Sequence, residues 1–351
     1  MSTPSILPLA LGLVIFSFLI TGILVVPFID LLYKLKLTRR REAPTKGKVP
    51  LFDRLHDIKV GTPVGGGILL ILVVSLLFAA VFPLASYLGV FVQSAYVLRT
   101  ELFVIFFTFI SFGLLGLSDD LVKMFGKPRQ GSVGMWVGLS RRSKFVVQWM
   151  LAFAIGFVIY RDLGIHIFHV PFVGKVFDLG IFYVPFSAFM IVAFTNAFNI
   201  TDGLDGLASG LLMICLIAFG VIAAGSLDTP LSIFIALWLG ALLAFLYFNV
   251  WPARIFLGDA GSLSFGATLA VLGILTGSII ALVIIGGVFV VEIVSALIQM
   301  MGWRFLKRPI FPLAPLHNTL LAIGWEEPKI VARAWLAGII LAVFGLWLSF
   351  M

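Results

Sequence analysis

Apolar stretches long enough to cross a bilayer recur along the whole 351-residue chain, and a chain so patterned can bury them only in a membrane. Lipid offers no hydrogen bonds to an exposed backbone, so each such stretch must be helical. They fall at roughly 6–33, 64–92, 101–118, 145–160, 182–199, 205–224, 230–249, 262–279, 280–303 and 332–350. The expected fold class is all-α: one polytopic integral membrane domain over residues 1–351, with about ten transmembrane helices and both termini on one side. Hydrophobic residues make up 61% of the chain and charged residues 11%, which excludes a water-soluble reading. The single cysteine, Cys215, lies inside an apolar run, so neither a disulfide framework nor a cysteine metal site is expected.

The basic residues orient the spans. The first stretch is too long for a signal-peptide core, has no positive residue before it and is followed by a basic cluster, so it is read as a span with its N-terminus outside. Inside loops then carry 21 of the 24 lysines and arginines: nine in 34–59, six in 119–144, Arg254, and five in 304–333. Arg99, Arg161 and Lys175 fall outside. Segment 34–59 has a net charge of +6 after Glu42, Asp53 and Asp57, and segment 119–144 has +4 after Asp119 and Asp120. Such an inner rim attracts anionic lipid heads, and it would also collect a phosphorylated substrate. Nucleic acid is a poor partner, because these residues flank lipid-embedded helices. The outside segment 161–181, with Pro171, Gly174 and Gly180, has the pattern of a short hairpin.

Acids in apolar context are costly, and here they concentrate near the inside ends of spans. Asp119 and Asp120 close the third span in GLLGLSDDLVKMFGK, with Lys123 one turn on. Adjacent carboxylates repel, which points to a bound cation or a proton-accepting role, or else to a solvated helix end paired with Lys123. In NAFNITDGLDGLASG, if helical, Asn196, Asn199 and Asp202 share a face, with Asp205 one turn further. Capping by Thr201 would account for one of those polar groups only. In FNVWPARIFLGDAGSLSFG, Asp259 has the place of an N-cap for the eighth span, or of a metal ligand. Three acid clusters on inside ends make the constellation a magnesium-dependent phosphoryl-transfer site requires. In KVGTPVGGG, Thr62 and Pro63 either cap and start the second span, with Gly65 to Gly67 allowing tight helix contact, or join Lys59 in holding an anion.

Taken in order, KVGTP, DDLVK, NAFNITDGLDGLA, FNVWPARIFLGDAGSL and APLH resemble the polyprenyl-phosphate N-acetylhexosamine-1-phosphate transferase superfamily, over nearly the whole chain. Within it the resemblance is to the bacterial phospho-N-acetylmuramoyl-pentapeptide transferases. The resemblance implies Asp119, Asp120 and Asp259 as catalytic carboxylates, and Mg2+ as cofactor with Asp259 and Asp202 as its ligands. It places Lys59, Thr62, Lys123, Lys144, Asn196, Asn199, Asp202, Asp205, Asn249, Gln299 and His317 in contact with substrate, with Glu292 as a buried companion of Gln299. It implies UDP-MurNAc-pentapeptide and undecaprenyl phosphate as substrates, a bacterial inner-membrane location with a cytoplasmic active site, and a homodimer. Two segments depart from the family pattern. Where three consecutive histidines are usual, the chain reads His317-Asn318-Thr319, and the loop Gly126 to Val137 is longer than usual, so that Arg141 and Arg142 compete with Lys144 for the substrate role. The segment around His56 and Asp57 matches only loosely. The sister activity, N-acetylglucosamine-1-phosphate transfer to the same lipid, is the nearest alternative. A proton-coupled transporter is the alternative of another class, though its acids would lie within spans and not at their ends.

Overall fold

Helices long and apolar enough to cross a membrane number ten among the described residues. The computed structural model describes residues 6–39, 59–87, 89–125 and 141–351. Arg40, Arg41, Glu42, Lys46, Lys48, Asp53, Arg54, His56 and Asp57, and the loop from Gly126 to Ser140, lie outside the described residues.

The helices are α1 (Ile6–Lys34), α2 (Gly66–Tyr87), α3 (Leu98–Phe125), α4 (Arg141–Arg161), α5 (Tyr183–Thr201), α6 (Leu207–Gly225), α7 (Thr229–Asn249), α8 (Gly258–Leu275), α9 (Ile279–Ile285), α10 (Gly287–Met301), α11 (Leu316–Ala322) and α12 (Glu327–Ser349). α10 continues into a wider turn over 302–306, and α9 and α11 are too short to span. Between α4 and α5, strands β1 (Ile167–Val170) and β2 (Lys175–Asp178) pair antiparallel. The turn at Gly174 needs a positive φ of 58°, which glycine supplies without strain. Hydrogen bonds from His166 and from the Gly180 N–H hold the Asp178 carboxyl below the usual range.

α7 and α8 are the innermost spans, with 78% and 89% of their residues buried, against 22% for α1. Between lipid-facing helices apolar burial provides little drive, so packing and interhelical hydrogen bonds must hold them. Phe109, Phe234, Trp238 and Phe265 supply the packing, with ring centroids 5.1–5.8 Å apart. Ser264 donates to the Phe109 carbonyl and Ser17 to that of Leu237, each at 2.6 Å. Asp228 caps α7 by accepting from the Leu231 N–H at 3.1 Å, with Pro230 in the first turn.

Several boundaries differ from the sequence expectation, the last span starting at Glu327 and not at 332 among them. α3 does not stop before the aspartate pair but runs to Phe125, because Asp119 meets Lys123 one turn on and both carboxylates find partners on neighbouring helices. α8 starts at Gly258, four residues earlier than expected, so Asp259 is inside its first turn and is not an N-cap. Thr62 and Pro63 do not start α2. Pro63 pairs with Thr38, Val64 pairs with Phe256, and the helix begins only at Gly66. The stretch 280–303 is broken at Gly286, while the boundary expected between 279 and 280 falls at Thr276-Gly277-Ser278, a true helix end with Gly277 at φ +64°.

The tight contact expected of Gly65–Gly67 is present. A Cβ on Gly67 would lie 2.2 Å from the Gly261 Cα, so the backbones of α2 and α8 touch there. Strand-like bonds then tie the segments preceding them: Gly65 N and Gly66 N donate to the Phe256 carbonyl, and Phe256 N donates to that of Pro63. These contacts bring the end of α1 together with the starts of α2 and α8.

Candidate active site

At that end, four charged side chains from three helices form one knot. α3 contributes Asp119 and Lys123, α4 contributes Lys144 near its start, and α8 contributes Asp259. Lys123 Nζ lies 3.0 Å from Asp119 Oδ2 and 2.6 Å from Asp259 Oδ2. Lys144 Nζ lies 2.8 and 2.6 Å from the same two oxygens. Two carboxylates and two ammoniums therefore compensate each other in a largely buried pocket, and Lys123 is 41% exposed at its mouth. Glycine makes the approach possible, since a Cβ on Gly116 would meet the Asp259 carbonyl oxygen at 2.0 Å.

Asp120 points elsewhere. Its Oδ1 accepts from the Asp259 N–H at 3.1 Å and its Oδ2 from the Ala260 N–H at 3.0 Å. It thus supplies from α3 the cap that α8 lacks in its own sequence, since Leu257 offers no side-chain acceptor. The Asp259 side chain is steered further by Asn199, whose Nδ2 donates to Asp259 Oδ1 at 3.1 Å and to Ser262 Oγ at 2.7 Å. Asn199 reaches this place because it lies in the last turn of α5, which ends at Thr201.

The turn after α5 carries the remaining acids. Asp202 is half-buried. Burial, reinforced by the nearby Asp259 charge and opposed by Lys59, raises its carboxyl well above the usual range. Asp205 is buried: its Oδ1 lies 2.8 Å from Lys59 Nζ, and its Oδ2 accepts from the Ala253 N–H at 2.9 Å. Lys59 is fully engaged, lying also 2.6 Å from Glu327 Oε1 and 3.2 Å from the Gly203 carbonyl. Asn249, at the end of α7, donates to the Ile255 carbonyl and accepts from Ser209, which fixes the loop leading to α8. His317 lies against the same turn, since a Cβ on Gly203 would be 2.5 Å from its Nε2. Its Nδ1 is 3.0 Å from Glu292 Oε2, and its backbone N–H donates to the same carboxylate. A carboxylate partner sets Nδ1 as the protonated nitrogen.

Three expected residues have their bonds away from both the knot and the turn after α5. Asn196 donates to Gln148 Oε1 and to the Val192 carbonyl, joining α5 to α4. Gln299 spends both ends of its amide on the backbone of Ile310 and Phe311. The Thr62 carbonyl accepts from the Arg39 N–H in the segment before α2. Conversely, Glu327, Ser262, Gln148 and Trp335 stand among the site's supports without having been singled out in the sequence. The signal for Glu327 was its place just before Pro328 at the start of the last span.

Among the described residues, no group of three or more carboxylate, histidine or cysteine side chains closes into a ready cation cage. The donors that do gather are hard oxygens, the carboxylates of Asp119 and Asp259. That set fits a small divalent cation such as magnesium, which needs one or two protein carboxylates and takes its other ligands from phosphates and water.

Helices long and apolar enough to cross a membrane, sharing an end where acids and lysines meet, have the layout of a membrane-embedded transferase. The chain belongs to glycosyl transferase family 4, whose sequence profile matches residues 102–277. Over nearly its full length it is similar to phospho-N-acetylmuramoyl-pentapeptide-transferases. It is 36% identical to that of Geobacillus sp. (strain WCH70) over 341 residues, with 96% of each chain covered. It is 36% identical to that of Geobacillus thermodenitrificans over 336 residues, with 95% of each covered. With that of Staphylococcus saprophyticus it shares 34% over 343 residues, covering 96% of this chain and 98% of the relative.

Proposed function

We propose that this protein transfers phospho-N-acetylmuramoyl-pentapeptide from its UDP-activated form to undecaprenyl phosphate, releasing UMP and leaving a lipid-linked peptidoglycan precursor (lipid I). The observation that carries the reading is the knot of Asp119, Lys123, Lys144 and Asp259 at one end of the bundle, in a chain alike over its whole length to transferases of that name.

A phosphate oxygen of the lipid attacks the sugar-linked phosphorus, the new P–O bond forms, and the anhydride P–O bond breaks with its electron pair leaving on UMP. Asp119 orients the lipid phosphate and takes its proton when it arrives protonated. Lys123 and Lys144, each shared between two carboxylates, turn toward the diphosphate and offset its charge. Asp120 holds the start of α8 so that Asp259 keeps its aim, and Asn199 fixes the Asp259 carboxylate plane. Asp259 and Asp202 would hold Mg2+, which would supply positive charge to offset that of the diphosphate and of the departing UMP. The turn from Asp202 to Gly206, with Lys59, Asn249 and His317, bounds the nucleotide side of the cleft. The basic excess of 34–59 and 119–144 supports a cytoplasmic position for this end, in a bacterial inner membrane.

The test is UMP release from UDP-MurNAc-pentapeptide by purified protein with undecaprenyl phosphate and Mg2+, compared with Asp119→Asn and Asp259→Asn. We expect a lipid-linked product from the parent and a loss of about a hundredfold or more in either variant, the range typical of removing one preorganised charge. Near-parental turnover in both variants would refute the site. Adding UDP-N-acetylglucosamine as competitor separates the sister activity, which predicts that it displaces the muramoyl nucleotide.

A further inference from the structure

The last span reaches into the site. Glu327, the first residue of α12, is buried, and its Oε1 accepts at once from Lys59 Nζ and from the Asp205 backbone N–H, each at 2.6 Å. Asp205 in turn meets Lys59 through Oδ1 and the Ala253 N–H through Oδ2. Two helical turns along α12, Trp335 Nε1 donates to the Gly206 carbonyl at 3.2 Å. Its ring fills the space over Gly210, where a Cβ would come within 2.1 Å. The turn 202–206 is therefore gripped from one side by a single helix that carries none of the acids of the knot.

From this geometry we infer that Glu327 is a positioning residue for the nucleotide donor, clamping the Asp202–Gly206 turn and Lys59 to the start of α12. The turn's own backbone cannot do this. Gly203 and Gly206 give it freedom, and Gly206 sits at φ +76°, so outside acceptors must select one conformation. The triad of Lys59, Asp205 and Glu327 carries one cation against two carboxylates, and the two backbone N–H donors of Asp205 and Ala253 offset the surplus. What positions the turn is the acceptor oxygen on Glu327, and a neutral side chain of the same shape should largely preserve it.

The kinetic half of this inference rests on the reaction proposed above, and amide hydrogen exchange on the full chain in detergent tests the clamp without it. For Glu327→Ala we expect amides of 202–207 to exchange about tenfold faster or more, with KM for UDP-MurNAc-pentapeptide up about tenfold and kcat within about threefold. Glu327→Gln keeps an acceptor at Oε1 and should stay within about threefold of the parent in both exchange and KM. Unchanged exchange at 202–207 in Glu327→Ala would overturn the inference. So would a KM that does not rise in that variant, or a faster exchange spread evenly over all helices, which marks a fold defect. A parent that releases no UMP from this donor sinks the proposed reaction instead, and the exchange comparison still decides the clamp.

Discussion

Asp119 and Asp120 are neighbours in sequence and opposites in use. The first faces the two lysines, while the second is spent on the amides of Asp259 and Ala260. Changing Asp120 to Asn leaves one oxygen for two donors and turns an NH2 toward one of them. Losing a helix cap costs about 0.5–2 kcal/mol, so Asp120→Asn should melt a few degrees lower, and its turnover should drop as Asp259 loses its anchor. Thermal unfolding in detergent, read beside UMP release, checks this, and a variant that melts and turns over like the parent would contradict the cap. The sequence made the two aspartates visible as a costly pair in apolar context. It could not divide their labour, because both donors sit some 140 positions away, and the division depends on how closely α8 approaches α3.

At the scale of elements, the spans were legible because apolar length is a local property, and the hairpin at 167–178 was legible from its turn residues. Their ends were harder to place. The aspartate pair looked like a stop and is the interior of α3, and Asp259 looked like a cap and is itself capped from a neighbour. Both errors have one cause, which is that a polar residue at a span's end reads as solvated until its cross-helix partner is known. The glycine contacts were half legible. GTPVGGG announced a close approach, but nothing announced Gly116, on which α8 rests. A methyl there would strike backbone and not a flexible side chain, so Gly116→Ala should push the start of α8 away from α3. We expect turnover to fall by at least about tenfold, with destabilisation of about 1–3 kcal/mol, as for other overpacked sites. Thermal melting with UMP release again reads it, and parental values in both would show that the helices have slack.

For the whole molecule, the site residues lie at one end and the β1–β2 hairpin at the other, with the start of α1 and the end of α12 on the hairpin side. The positive-inside bias predicts that the site end faces the cytoplasm, and the chain offers a clean way to check. Cys215, its single cysteine, is buried, so an introduced thiol reports alone. Val173→Cys in the hairpin turn should react with a membrane-impermeant maleimide added to intact cells. Ile323→Cys, exposed beside α12 at the site end, should react only after permeabilisation. The reverse pattern would invert the topology and remove the cytosolic donor from reach.

The cap that Asp120 places on α8 has one more consequence. Anions often settle on the bare amides that open a helix, yet here a built-in carboxylate already holds the two that adjoin Asp259. If the proposed reaction holds, an incoming diphosphate finds that cradle taken, and its recognition falls to the ammonium groups of Lys123 and Lys144.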